Sequence, residues 1–328
     1  MLTRNPAYAT GPRPGGASLH ERARPGVTPA APIAVIAAHS GLGAGDPRTG
    51  QAPDALARAG LPLMLARMGR LASWQDISGF SGMLVMNAAA RLEAVAHMAS
   101  DVSQAVEQAV QSGAQPLVLG GDHSIAAGTW SGAANALGPG GRLGLIWLDA
   151  HMDAHVPETT PSGNWHGMPV AHLLGHGVPE LTGLSRYGPA LHPENICLIG
   201  VRSYEPGEAR LLERLGVRVI AAEEVARRGF DACFAEALAI ACHRTDGFGV
   251  SIDLDVFDPV DAPGVGSPVA GGLRPAPVLR TLDGLSNATG FLGLEIAEYN
   301  PARDRSGKTA RLANDLVGAV FENEVNTQ

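Results

Sequence analysis

The sequence is poor in several features that mark other classes of protein. Lys308 is its only lysine, which disfavours enzymes that form a Schiff base with their substrate. The formal net charge is −8 and no basic cluster occurs, so nucleic acid and anionic membranes are poor partners. No apolar run of about 18 residues is present, so no transmembrane helix is predicted. We therefore expect a small-molecule partner, with neither nucleic acid nor membrane involved.

Cysteine is scarce as well. Cys197, Cys233 and Cys242 are odd in number, which fits no disulfide framework, and their spacing matches no metal site. Each of them lies among apolar residues. We therefore predict reduced thiols in the core of a cytoplasmic protein.

The beginning of the chain lacks the apolar segment that a secretory signal requires. Residues 1–31 are instead rich in proline, glycine, alanine and arginine. We interpret this stretch as a flexible extension. Residues 32–328 are predicted to form a single folded domain.

The remaining sequence alternates between apolar strands and amphipathic helices, and its 45% hydrophobic content is enough for a large core. Strands are predicted at about 33–38, 116–120, 143–148, 196–201, 217–221, 250–255 and 290–298. Helices are predicted at about 53–68, 87–112, 125–136, 207–215, 230–242 and 305–322. Alternation of this kind is typical of an α/β fold with a doubly wound, mainly parallel sheet.

Metal-ligating side chains follow the apolar strand 143–148. In the stretch Asp149-Ala-His151-Met-Asp153-Ala-His155, four such residues alternate with small or apolar ones. In extended chain, side chains two residues apart point to the same side. Asp149, His151 and Asp153 can therefore converge on one point and form half of a metal site.

Two other predicted strands end in similar residues. Asp253 and Asp255 stand two apart at the end of one strand, and His123 lies just beyond the end of another. Ligands of open α/β sheets bind at the carboxyl ends of the strands, where all these groups would meet. The candidate metal ligands are His123, Asp149, His151, Asp153, Asp253 and Asp255.

This set contains four carboxylates, which is too many for one ion. Two divalent cations would neutralise their charge, and oxygen-rich ligation suits Mn²⁺ better than structural Zn²⁺. A single Asp-x-His or Asp-x-Asp is usually a solvated loop or a helix cap. Three such clusters, each at the end of an apolar strand, favour a binuclear metal site.

Further polar residues are predicted at the same edge of the sheet. Glu298 ends the last strand, and the polar loop 156–170 leaves the central metal cluster. Within this loop, Ser162 and Asn164 can hydrogen-bond a carboxylate, and His166 is close enough in sequence to reach the reacting centre. The alternative is an ordinary turn stabilised by the serine and the asparagine.

Three segments carry a resemblance to a known family. Gly120-Gly-Asp-His123-Ser, Asp149-Ala-His151-Met-Asp153 and Ser251-Ile-Asp253-Leu-Asp255 resemble the signature segments of the ureohydrolases, the arginase and agmatinase family. The match runs from about residue 33 to 322. It implies a three-layer α/β/α fold, a catalytic domain over 32–328, two Mn²⁺ ions (with Ni²⁺ or Co²⁺ possible) and a homotrimer or homohexamer. The implied reaction is hydrolysis of a guanidino group to urea and an amine.

Within this family the pocket residues are most similar to those of arginases. Ser162 and Asn164 match residues that hold the α-carboxylate of the substrate, and Glu205 matches the one that receives its α-ammonium. L-Arginine, cleaved to L-ornithine and urea, is therefore the favoured substrate. Three predicted substrate-binding residues differ from those that arginases have at the same positions. His155 replaces an asparagine, Glu205 replaces an aspartate and Ser267 replaces a threonine.

The resemblance also implies catalytic roles. Glu298 would bind the guanidinium, Asp153 would pass a proton to the leaving amine, and His166 would carry protons to and from solvent. The departures leave open an agmatinase or a guanidino-acid hydrolase such as a guanidinobutyrase. A metallophosphoesterase and a non-catalytic member of the fold are more remote alternatives.

Overall fold

The computed structural model describes residues 30–78 and 87–322. The predicted extension lies outside these ranges except for its last two residues. Within these ranges, eight parallel strands form one sheet, in the order β2-β1-β3-β8-β7-β4-β5-β6. They are β1 (Ile33–His39), β2 (Leu71–Ser78), β3 (Gln115–Leu119), β4 (Leu143–Leu148), β5 (Leu191–Val201), β6 (Arg218–Ala221), β7 (Gly247–Asp253) and β8 (Phe291–Ala297).

Helices lie between the strands. They are α1 (Ala52–Arg58), α2 (Leu61–Arg67), α3 (Ala88–Gln111), α4 (Ala126–Leu137), α5 (Pro169–Leu173), α6 (Pro179–Thr182), α7 (Pro206–Leu215), α8 (Ala222–Arg228), α9 (Phe230–Ala241), α10 (Pro275–Leu282) and α11 (Lys308–Phe321). No helix within the described ranges is long and apolar enough to cross a membrane.

The sheet separates two hydrophobic cores. Along β4, Ile146 and Leu148 pack on one side, with residues of α9, α10 and α11. Leu145 and Trp147 point to the other side, where residues of α3 and α4 cover them. The central strands are therefore buried on both faces, as parallel sheets require. This arrangement confirms the predicted three-layer α/β/α fold.

The structure differs from the sequence prediction at several elements. The predicted helix 53–68 is two helices, because Gly60 between them adopts a left-handed φ of 98°. Strand β2 was not predicted, since it lies at the sheet edge and its residues are mostly exposed or half-buried. Strand β5 begins at Leu191, before the predicted start at 196.

The cysteines are only partly as predicted. Cys197 and Cys233 are buried free thiols, in agreement with the prediction. Cys242 is exposed, so its placement in the core was wrong. It is the residue that follows the last turn of α9, where the chain has already left the apolar face of the helix.

The strand order brings the candidate ligands together. Strands β3, β8, β7 and β4 are consecutive neighbours in the middle of the sheet. Because all are parallel, their carboxyl ends meet at one edge. The polar residues that follow these four strands therefore share one site.

Candidate active site

One cluster of candidate ligands surrounds the side chain of His123. Its Nδ1 lies 3.4 Å from Asp149 Oδ2, 3.3 Å from Asp153 Oδ2 and 3.2 Å from Asp253 Oδ2. All four residues are buried. Their ligand atoms lie within 4.8 Å of one another, which is close enough to surround one metal ion.

A second cluster lies beside the first and shares Asp149 with it. His151 Nδ1 is 3.4 Å from Asp149 Oδ1 and 3.1 Å from Asp255 Oδ2. Asp149 thus turns one carboxylate oxygen toward each cluster. The structure therefore brings all six predicted ligands together as two adjoining groups.

The electrostatics of these clusters fit divalent cations. Burial and the charge of Asp149 raise the pKa of Asp153 to about 7. Burial and the charge of Asp255 raise the pKa of Asp253 well above its ordinary value. His123 Nδ1 makes no hydrogen bond among the described residues despite its three carboxylate neighbours. Crowded acids and a free imidazole nitrogen are the donors that two divalent cations would bind.

Local backbone geometry orients the ligands. Asp149 Oδ1 accepts a hydrogen bond from His151 N, and Asp253 Oδ1 accepts one from Asp255 N, at 2.7 and 2.8 Å. Asp153 and Glu298 have positive φ angles of 49° and 64°. Such conformations cost about 1–3 kcal/mol each and persist where the surrounding structure fixes them. Strain at these two acids is typical of a functional site.

Two residues without a predicted role fix the orientation of His123. Ser251 Oγ donates a hydrogen bond to Glu295 Oε1 at 2.7 Å and therefore accepts one from His123 Nε2 at 2.8 Å. This arrangement places the imidazole proton on Nε2 and leaves Nδ1 free for a metal. The ring of Trp147 stacks on His123 with centroids 4.1 Å apart.

Arg202 is a further residue whose role the sequence did not reveal. Its guanidinium donates hydrogen bonds to the backbone carbonyls of Gly200, Asp255, Val256, Phe257 and Val269. Three of these carbonyls belong to the turn that carries Asp255. Arg202 therefore holds this turn against the end of β5.

Glu298 connects the first cluster to the pocket. Its Oε1 accepts a hydrogen bond from His123 N at 2.9 Å and lies 3.0 Å from His166 Nδ1. Its Oε2 is buried and has no hydrogen-bond partner among the described residues. Burial disfavours the charged form of His166, but the Glu298 charge prevails and raises the pKa of His166 to about 9. A cationic substrate group would give Glu298 Oε2 its partner.

These residues line a cavity of about 270 Å³. All of the predicted catalytic and substrate-binding residues lie on its walls, namely Asp153, His155, Ser162, Asn164, His166, Glu205, Ser267 and Glu298. Glu208 also lines the cavity, although the sequence analysis gave it no role. The metal clusters form the inner wall, because His151, Asp253 and Asp255 border the same space.

Comparison with known proteins identifies the family. The family model described as "Arginase family" matches residues 31–322. The chain belongs to the arginase family. An arginase of Bacillus caldovelox is 46% identical over 230 residues, which cover 70% of this chain and 76% of the relative.

Solved structures of arginases have the same fold. The native arginase of Bacillus caldovelox superposes with a TM-score of 0.82 at 39% identity, covering 90% of this chain and 99% of that one. An arginase of Entamoeba histolytica, solved in complex with L-ornithine, has a TM-score of 0.81 at 26% identity, covering 90% and 100%. The predicted family and enzyme class, a metal-dependent hydrolase, are thereby confirmed.

Two of the three residues that differ from the arginase pattern lie at the outer end of this arginase-family pocket. His155 Nε2 lies 2.9 Å from Glu205 Oε2, and His155 Nδ1 lies 3.1 Å from Thr159 Oγ1. Glu208 accepts hydrogen bonds from the backbone of Glu205 and Ala154. His155 and Glu205, predicted as separate substrate contacts, are thus in direct contact with each other.

Proposed function

We propose that this chain hydrolyses L-arginine to L-ornithine and urea in the 270 Å³ cavity. One observation carries the proposal. The unpartnered Oε2 of Glu298 borders the same cavity as two clusters of metal-ligating side chains. A guanidinium held by Glu298 would therefore lie beside both clusters. Relatives named arginase and a relative that binds L-ornithine support this substrate.

The six cluster residues would hold two divalent ions, which supply water activated for attack at neutral pH and neutralise developing charge. Glu298 would bind and orient the guanidinium, because charge-assisted hydrogen bonds fix its direction. Asp153 lies between His123 and the cavity. Its carboxylate can carry a proton from the attacking water to the leaving amine.

His166 is placed to move protons between the cavity and solvent. Its Nδ1 contacts Glu298 in the interior, while its side chain retains 22% exposure. A group with both contacts can take a proton from solvent and deliver it to the reacting centre. We assign this relay to His166.

The outer residues would bind the amino-acid end of the substrate. Ser162 and Asn164 are proposed to hold the α-carboxylate, and Glu205 to receive the α-ammonium. Ser267 borders the same cavity and would contribute a hydroxyl. The presence of hydrogen-bond donors and an acid on the same wall supports an amino acid as substrate rather than a simple alkyl guanidine.

The proposal also covers the metal identity, the cellular compartment and the oligomeric state. The donors combine carboxylate oxygens with imidazole, which suits Mn²⁺, although Ni²⁺ or Co²⁺ can occupy such ligands. The free thiols of the chain favour the reducing cytoplasm. Family membership favours a homotrimer or homohexamer, which light scattering of the full chain would measure.

Urea release from L-arginine, agmatine and 4-guanidinobutyrate, measured side by side with Mn²⁺-activated protein, tests the function. We expect a clear preference for L-arginine. A preference for agmatine would indicate an agmatinase, and one for 4-guanidinobutyrate a guanidino-acid hydrolase. Either result would contradict the proposal while leaving the metal site intact. Turnover of a phosphate ester without urea release would contradict the proposed hydrolysis of L-arginine and also the two alternative guanidino hydrolases.

A further inference from the structure

A contact between two loops lies at the outer end of the pocket. His155 follows the metal-binding segment, whereas Glu205 stands at the N-terminus of α7. Their side chains meet at 2.9 Å between Nε2 and Oε2. The two partners differ in exposure, since the His155 side chain is 7% exposed and that of Glu205 is 54% exposed. One member is thus fixed in the protein and the other reaches into solvent.

The imidazole of His155 is held on both sides. Its Nδ1 lies 3.1 Å from the hydroxyl of Thr159, which also accepts a hydrogen bond from Val156 N. A carboxylate only accepts hydrogen bonds, so Nε2 must donate to Glu205. Both ring nitrogens are therefore engaged. His155 has no nitrogen left to contact the substrate carboxylate, which differs from the direct substrate contact predicted for it.

Glu205 depends on such contacts for a defined position. It is the N-cap of α7 and forms a reciprocal capping box with Glu208, in which its own side chain accepts a hydrogen bond from the Glu208 backbone. The side chain is long and 54% exposed, and this one backbone contact leaves its carboxylate free to turn about that hydrogen bond. The contact with His155 selects the orientation in which the carboxylate borders the cavity.

We propose that His155 is a positioning residue that holds Glu205 as the receptor for the α-ammonium of the substrate. This inference rests on the proposed hydrolysis of arginine. It makes His155 the origin of a preference for guanidino amino acids over guanidino acids that lack the ammonium. The carboxylate of the substrate is then left to Ser162 and Asn164.

Two substitutions separate positioning from simple packing. His155→Leu fills a similar volume but has no group that can donate a hydrogen bond to Glu205. His155→Gln extends its amide nitrogen to about the position of Nε2 and should keep the contact. Glu205→Gln removes the charge that His155 is proposed to orient. Thermal unfolding of each variant checks that the fold is kept.

Kinetics with matched substrates and products provide the test. In His155→Leu we expect the KM for L-arginine and the inhibition constant of L-ornithine to rise about tenfold, the scale of a hydrogen bond to a charged group. The kcat should change less than about twofold, because the reacting centre is untouched. The KM for 5-guanidinovalerate and the inhibition constant of 5-aminovalerate should change little, because both compounds lack the α-ammonium.

Three results would overturn the inference. Equal losses for ligands with and without the α-ammonium would make His155 a packing residue only. Failure of His155→Gln to restore the L-ornithine inhibition constant would remove the role of the Nε2 contact. A full effect of His155→Leu in the Glu205→Gln background would show that the two residues act independently.

Calorimetric binding of L-ornithine and 5-aminovalerate distinguishes this inference from the proposed function. If the wild-type protein binds L-ornithine more tightly and His155→Leu removes the difference, the ammonium receptor stands even when arginine is not hydrolysed. If the wild-type protein releases urea from arginine but binds both products equally, the function stands and the receptor is refuted.

Discussion

The inner and outer walls of the pocket are built in different ways. On the inner wall, His123 and the acids of the metal clusters are buried at the ends of adjacent strands. On the outer wall, Ser162 is exposed and Glu205 is half-exposed, and both belong to loops or helix ends. The inner wall is therefore fixed by the sheet, whereas the outer wall depends on contacts between loops. Changes to the inner wall should abolish chemistry, and changes to the outer wall should alter selectivity.

The largest loss is expected when the shared ligand is changed. Asp149→Asn should weaken both metal sites, because Asp149 turns an oxygen toward each cluster. Urea release should fall by more than about 100-fold, the upper range for loss of a residue that merely supports a metal ligand. Metal content and turnover are measured on the same sample.

Two comparisons sharpen this prediction. Asp255→Asn should lose one ion rather than two, since Asp255 belongs to one cluster only. Asp258→Asn is the control, because this acid contacts the backbone of Val260 and Gly271 outside the clusters. Full metal content and normal turnover in Asp149→Asn would refute the shared role.

Glu298→Gln tests whether Glu298, which connects the metal clusters to the rest of the pocket, holds the guanidinium. The metals should stay bound, because Glu298 is not a member of either cluster. Turnover should fall by about 100-fold, since orientation of the guanidinium and its charge pairing are both weakened. The ratio kcat/KM and the metal content are the measurements. A normal turnover rate would remove Glu298 from the mechanism.

Asn164→Ala concerns the outer wall alone. We expect the KM for L-arginine to rise about tenfold through loss of a hydrogen bond to the α-carboxylate. The KM for agmatine, which has no carboxylate, should not change. Ser203→Ala is a suitable control, since Ser203 lies near Glu205 in sequence but does not line the cavity. An equal effect of Asn164→Ala on both substrates would contradict the carboxylate role.

The smallest effect on catalysis is expected at His172, a buried residue of α5 whose ring centroid lies 6.3 Å from that of Trp165 in loop 156–170. Burial lowers the pKa of His172 to about 4. Between pH 6.5 and 4 the unfolded chain binds a proton that the folded chain does not, so stability falls as pH falls. The loss is about 3 kcal/mol across this window.

His172→Leu should remove this contribution to the pH dependence without changing turnover at neutral pH. Denaturant unfolding at several pH values measures it. His97→Leu is the control, because His97 is exposed on α3. If stability depends on pH equally in His172→Leu and in the wild-type protein, His172 is not the cause of the loss at low pH.

The two walls also differ in how far the sequence predicted them. The ligands of the inner wall were predicted because apolar strands end in acids two residues apart, and parallel strands place such ends together. The roles of Ser251 and Glu295 were not predicted, because the sequence around a single polar residue in a buried strand does not indicate what that residue contacts. Only the register between β7 and β8 brings them into contact.

The outer wall was predicted as a set of residues but not as a set of contacts. His155 and Glu205 are 50 residues apart, and their meeting depends on the path of two loops. The family resemblance identified the positions, whereas the hydrogen bond between them could come only from the structure. Edge strand β2 was missed for a related reason, since its pairing with β1 rather than its apolar pattern defines it.

Anomalous diffraction from crystals of the full chain grown with Mn²⁺ tests the central claim most directly. We predict two peaks, one beside His123 and one beside His151, with Asp149 contacting both. A single peak, or none at these side chains, would contradict a binuclear metal site on the inner wall.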